Sequence, residues 1–357
     1  MDLFNDVPNG VDKITIRKKM NKMLAEARKK AKPTKCMICG KNQTSFCNSH
    51  SVPEMFLKEI SENGMLLHAT ASIGMDFEIV DLEDGIKRSG TFHNICNECD
   101  NSFFQDYENP DNIVVKPTDK MLAEIAVKNI LIQLDKREIE KQLIEVQQEQ
   151  YNLYVNPEGG INLKELDIKE YEAEFELHKT ISVDNRKGEY QILFWDVLPY
   201  CVPIAMQSAI AMPKDMYGEQ INDVFDFSKT TRMQYMHMAI LPLKNESVIL
   251  AFYHKRDKLY RNLRHQINSS SKEQILEFLN YVIFAYTENY FISKRIQQTI
   301  ETNENLRKLS QENNEYPELG MLGINNMFGI GYKPITRDEI PNFLSEEWAI
   351  RREKVEK

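Results

Sequence analysis

The reading turns on Cys36-Met37-Ile38-Cys39, on Ser49-His50-Ser51-Val52-Pro53, and on Cys96-Asn97-Glu98-Cys99-Asp100-Asn101-Ser102-Phe103-Phe104. Two Cys-x-x-Cys pairs on tight knuckles offer four soft ligands, the donor set of a closed tetrahedral zinc site. His50 lies between the pairs and outside them, so it is left for chemistry rather than structure. Zinc ribbons commonly separate their pairs by about 15–20 residues, whereas 56 residues lie between Cys39 and Cys96. The insertion must fold by itself. A short helix is expected over 53–60, where Met55, Phe56 and Ile60 fall at helical spacing, and a strand over 75–82, where apolar and acidic residues alternate. Glycines at 64, 74, 85 and 90 mark turns. Buried thiols and a redox pair are the competing readings of the cysteines; the second needs a βαβ pattern that neither pair has around it.

Length allows two or three domains in 357 residues. The longest apolar stretch, 192–212, is interrupted by Asp196, Pro199, Pro203 and Gln207, so no membrane span is expected. The first six residues lack a cationic segment leading into an apolar run. With reduced thiols this places the protein in the cytoplasm.

The net charge of −9 is unevenly distributed. Residues 1–46 carry +7 and residues 47–100 carry −7. The cationic run from Lys13 to Lys35 includes Ile14, Ile16, Met20, Met23, Leu24 and Ala27, and predicts a basic helix able to sit on phosphates without reading sequence. The same run reads equally as a solvated tail, or as a partner for an acidic surface of this chain.

The expected class is α+β in three parts: a basic helical arm (1–35), a zinc-stapled module (36–112) ending in a helix from Asn101 to about Tyr107, and a larger antiparallel-sheet-plus-helices domain (113–357). Thr118 is an expected N-cap for a helix through Leu134. Strands are expected at 171–178, 190–197, 201–212, 234–243 and 247–254, the last two as a hairpin about Lys244-Asn245-Glu246. Ser271-Lys272-Glu273-Gln274 reads as a capping box opening a helix of about 35 residues. Phe103, Phe104 and Tyr107 recur at helical spacing and are assigned to the core. His237 is read as an ordinary strand residue. His254 to His265 forms a second basic cluster, read either as part of a nucleic-acid track or as a solvated loop. Gly329-Ile330-Gly331 lacks the rest of a dinucleotide fingerprint.

Taken together, the knuckles, the Ser49-His50-Ser51-Val52-Pro53 segment and the Cys99-Asp100-Asn101 run resemble the zinc-ribbon-containing, four-cysteine branch of the HNH, or ββα-metal, endonucleases over roughly residues 36–108. The resemblance implies a metal-dependent endonuclease acting on nucleic acid, DNA before RNA, with His50 as general base. It also implies structural zinc on Cys36, Cys39, Cys96 and Cys99, and a catalytic Mg²⁺ or Mn²⁺ near Asp100, Asn101 or His93. Such enzymes often act in anti-phage defence. The larger domain would then serve regulation, target choice, homo-oligomerisation or an activating partner. Ser49 stands where an acidic ligand usually precedes the base, and Thr91 where an Asn is usual. The rival reading is a non-catalytic zinc module that binds nucleic acid or protein.

Overall fold

A computed structural model describes residues 13–68, 82–151, 157–224, 226, 228, 231–311 and 335–351. Helix α1 (Lys13–Lys30) precedes strand β1 (Ser49–His50), α2 (Glu54–Ile60), β2 (Met65–His68), β3 (Leu82–Gly85), β4 (Thr91–Phe92), α3 (Asn97–Phe103) and α4 (Pro110–Ile113). A helical pair follows, α5 (Asp119–Tyr151) and α6 (Pro157–Val183), then β5 (Tyr190–Leu198), β6 (Ile204–Ile210), β7 (Met236–Pro242) and β8 (Ser247–His254). The chain continues through α7 (Arg261–Asn268), α8 (Lys272–Tyr286), β9 (Tyr290–Ile292), α9 (Gln297–Thr302) and α10 (Glu304–Gln311). Mixed helices and antiparallel sheets make this an α+β fold. Among the described residues, no helix is long and apolar enough to cross a membrane.

Seven strands form one antiparallel sheet in the order β3-β2-β9-β6-β7-β8-β5. Strands β6, β7 and β8 are buried at every position, as expected where both sheet faces are covered. Met206, Met238, Ile240 and Tyr253 pack on the side of α7 and α8, whereas Ala205, Ala239, Leu250 and Phe252 meet α5. Helix α5 is buried at all positions from Met121 to Ile132. Any polar residue within that stretch needs an internal partner.

Local signals place several elements as expected. Thr118 Oγ1 accepts from Met121 N–H at 3.3 Å, the 236–254 hairpin is present, and Ser271 and Gln274 close a reciprocal capping box. Four expectations need correction. Residues 171–178 lie inside α6, where Glu174, Phe175, His178 and Ile181 are buried at helical spacing; the period-2 alternation of Tyr171-Glu172-Ala173-Glu174-Phe175 is subordinate to that longer helical period. Helix α8 stops at Tyr286 after 15 residues, because the following apolar run, Tyr290–Ile292, enters the middle of the sheet as β9. The helix expected from Asn101 begins earlier, at Asn97. The boundary expected at residue 112 does not interrupt the sheet: β2 and β3, inside the cysteine-bracketed segment, extend it through β9. Val52, Phe56 and Phe104 share one core with α5 and the sheet. The strand expected over 75–82 lies outside the described residues except at Leu82, where β3 begins.

Between α6 and the sheet, three histidines come together. His178 stands 5.0 Å from His237 and 5.9 Å from His254, centroid to centroid, and its Nδ1 is 2.7 Å from the Tyr190 hydroxyl. His237, on strand β7 as expected, is also a member of this cluster. Burial, with the charges of His178 and Arg256, pushes His254 down to about 4, and burial drives His237 well below its ordinary value. A depressed histidine contributes stability that is complete above its unfolded pKa and is lost as pH falls toward the folded one. His254 alone should therefore cost about 2 kcal/mol between pH 7 and pH 5. Urea titrations at the two pH values measure this; His254→Phe should flatten the difference.

Candidate metal centre and the residues around His50

The first knuckle is a reverse turn. Gly40, at φ +69°, donates its N–H to the Cys36 carbonyl at 2.8 Å, and Cys36 N–H donates to Lys41 O at 3.0 Å. The second knuckle is the entry to α3, with Cys96 at its N-cap and Cys99 inside it. The knuckles are joined directly: Met37 N–H donates to Asn94 O at 3.0 Å, and Cys96 N–H to Cys36 Sγ at 3.3 Å. All four sulfurs lie within 4.8 Å of one another. Tetrahedral zinc at the usual Zn–S length needs sulfurs about 3.8 Å apart, so the cluster fits a metal ion such as zinc. Burial raises the Cys36 and Cys99 thiols, a poor setting for thiolates that a divalent ion reverses. Cys39 is the exposed member.

Cys47 is not part of that set. Its thiol donates to Asp100 Oδ2 at 3.2 Å; burial and the Asp100 carboxylate push it up to about 12.

Strands β1 and β4 pair antiparallel, Ser49 opposite Phe92 and His50 opposite Thr91, and α3 follows β4. Ser49 is buried, and its hydroxyl donates to Asp100 Oδ1 at 2.5 Å. His50 is half-buried, with Nε2 2.9 Å from the Ile86 carbonyl oxygen. A carbonyl can only accept, so Nε2 carries the hydrogen and the neutral ring keeps its lone pair on Nδ1. Ser51 Oγ donates to Asn289 Oδ1 at 2.8 Å, tying the same segment to the loop before β9.

Two of the expected ligands face solvent. His93 is exposed; its backbone N–H donates to Asp135 on α5. Asn101 is exposed on α3. Asp100 is the expected residue that the fold brings to β1, and each of its oxygens already accepts a side-chain hydrogen bond. Apart from the cysteines, the described residues gather no group of three or more His, Cys, Asp or Glu able to hold an ion.

Sequence reasoning missed three participants. The Ile86 carbonyl carries no residue-type signal. Glu54, four residues after His50, is held below its ordinary value chiefly by the Lys58 ammonium, with His50 and Lys87 contributing. Lys128, on α5, is buried beneath Asp100, with Nζ 3.9 Å from Oδ1. Its signal is present in the chain: a lysine within the apolar run Ala126-Val127-Lys128-Asn129-Ile130-Leu131 has no wet face to occupy.

The basic arm docks on the body of the protein. Met23 and Ala27 pack with Leu143 and Val146 of α5, and Lys30 pairs with Glu149 at 2.8 Å. Lys18, Lys19, Lys22, Arg28 and Lys29 remain exposed on the helix, and Lys32, Lys35 and Lys41 continue the exposed cations to the first knuckle.

Two outcomes follow from these contacts. Cys36→Ser or Cys99→Ser should abolish bound zinc and unfold the knuckles, since metal coordination supplies much of the folding free energy of such units; metal analysis and circular dichroism read both. Gly90→Ala should cost about 2–3 kcal/mol, because φ there is +63° and an added Cβ would stand 2.3 Å from the Phe291 ring and 2.7 Å from Ser51 Oγ. Denaturant unfolding checks it.

Comparison of the sequence with models of known protein families, with characterised proteins and with solved structures finds no match.

Proposed function

We propose that the unit built from β1, β4, α3 and the four cysteines is the centre of an endonuclease of the HNH type, hydrolysing phosphodiester bonds in nucleic acid, DNA before RNA. The observation that carries this reading is the state of His50. Its Nε2–H is spent on the Ile86 carbonyl, which orients the ring and leaves Nδ1 as the proton acceptor. A base whose second nitrogen is fixed by another group is the arrangement general-base catalysis uses. The order of two antiparallel strands and a helix, with four cysteines able to hold zinc, supports the same reading.

In this mechanism His50 Nδ1 takes the proton of the attacking water, and neutral imidazole suits that task near pH 7. The exposed cations of α1 and of the first knuckle hold the phosphate backbone without sequence readout. Mg²⁺ or Mn²⁺ would supply Lewis-acid stabilisation of the charge developing on the phosphate. Asn101 is the candidate to contribute a ligand, because Asp100 is engaged by Ser49 and Cys47. Magnesium commonly takes one or two protein ligands and completes its shell with water and phosphate oxygens. A role in defence against foreign nucleic acid fits such an activity.

The engagement of both Asp100 oxygens favours a second reading, a zinc scaffold that binds nucleic acid or protein without cutting. Plasmid nicking in Mg²⁺ or Mn²⁺ separates the two. His50→Ala should lower the cleavage rate by at least roughly 100-fold with zinc content unchanged; cleavage that survives the substitution, or wild-type protein that binds plasmid without nicking it, supports the scaffold.

A further inference from the structure

Lys128 is only 2% exposed, yet it lies behind the strand that carries His50. Its Nζ donates to Glu108, stands 3.9 Å from Asp100 Oδ1 and is 4.1 Å from the centroid of the Phe104 ring. A buried ammonium is tolerated only where counter-charge surrounds it. Glu108 alone would neutralise this one. The second carboxylate, Asp100, has Lys128 as its one cation within 4 Å among the described residues, and it accepts from Ser49 Oγ at 2.5 Å and Cys47 Sγ at 3.2 Å.

Strand β1 is two residues long, and backbone bonds flank it, Cys47 N–H to Ile95 O and Ser51 N–H to Gly90 O, both at 2.8 Å. Its own side chains add two ties: Ser49 to Asp100 on one side and His50 to the Ile86 carbonyl on the other. We propose that Lys128 is a positioning residue for His50, acting through Asp100 and Ser49 to hold β1 where the imidazole keeps a single orientation. The proposal rests on the reading of His50 as the base. Without the ammonium, Asp100 and Glu108, which are each partly buried and both face the same Nζ, repel each other. Asp100 then withdraws from Ser49, and one of the two ties on β1 is lost. Asp100 is accordingly assigned to alignment and not to metal ligation.

The test uses the full chain as wild type, Lys128→Met, Lys128→Arg, Ser49→Ala and the Ser49→Ala/Lys128→Met double variant. Lys128→Met is also made with Glu108→Gln, which removes one buried charge with the other and so spares the fold. Three readouts are taken: zinc content, kcat and KM for Mg²⁺-dependent plasmid nicking, and the ¹⁵N spectrum of the His50 ring. Lys128→Met should lower kcat roughly 10- to 100-fold with KM and zinc unchanged, and Lys128→Arg should restore most of it. The double variant should be no slower than the slower single one, because both substitutions break the same tie. The His50 ring should show one Nε2–H tautomer in wild type and an average of two in Lys128→Met. Additive losses in the double variant, or an unaltered tautomer in both Lys128→Met backgrounds, would overturn the proposal. A wild-type protein that does not nick DNA, yet whose His50 tautomer is scrambled by Lys128→Met, would sink the nuclease reading while upholding the link from Lys128 to His50.

Discussion

Four sulfurs within 4.8 Å of one another close a segment of 56 residues, and the position of His50 depends on that closure. Chain entropy opposes it by an amount that grows slowly with length. A structural zinc site contributes on the order of 10 kcal/mol of folding free energy, enough to hold two short knuckles that bury little apolar surface of their own. The segment does not stand free once closed. Asn94 Nδ2 donates to the Leu131 carbonyl of α5 at 2.8 Å, β2 pairs with β9, and Phe56 and Phe92 join the core that α5 shares with the sheet. A metal on the cysteines and the core would therefore stabilise the same unit from opposite sides. Neither the knuckles nor β1 would be expected to keep their geometry with only one of them.

What is legible in the sequence divides by distance along the chain. The capping box at Ser271, the N-cap at Thr118, the hairpin over 236–254 and the cysteine knuckles are each encoded within about 20 residues, and each can be read from its own stretch. Tyr290–Ile292 cannot, because three apolar residues do not declare whether they extend a helix or enter a sheet until their neighbours β2 and β6 are known. The error at 171–178 has the same origin: alternation over eight residues outweighs, in a short window, the longer period of the 27-residue helix that contains it. Around His50, the cysteines, Ser49 and Asp100 can be named in advance, but the bond between the last two spans 51 residues and cannot. Lys128 is the most readable of the missed residues, since a charge inside a helix apolar on all sides has to be answered by something within the protein.

Under the proposed reading, Asp100 would be a motif residue put to a different use. Where an acidic residue precedes the base, two carboxylates meet beside the histidine and a cation is needed to hold them together. Here residue 49 is a serine, which donates where a carboxylate would repel. The Asp100 oxygens become acceptors for Ser49 and Cys47, and the compensating positive charge is the Lys128 ammonium, covalently part of the protein. One ammonium faces two carboxylates, Asp100 and Glu108, so the cluster keeps one formal negative charge. A substrate-borne phosphate, arriving with its own counter-ions, would bring any divalent cation with it.

Long-range charge gives a separate reason to look toward the first knuckle for a polyanion. The whole chain is acidic, but screening limits the reach of surface charge to about 8–10 Å in physiological salt, so a phosphate backbone responds to the nearest cations and not to the net −9. Helix α1 is held by Met23 and Ala27 against α5, with Lys30 and Glu26 engaging Glu149 and Gln150. Docking that face turns the remaining lysines and arginines outward on a helix that no longer has to order on binding. The conformational cost that a loose basic tail would incur on meeting a polyanion is largely met in folding. The cations also lie next in sequence to the first cysteine knuckle. A surface built this way would already be ordered on meeting a polyanion.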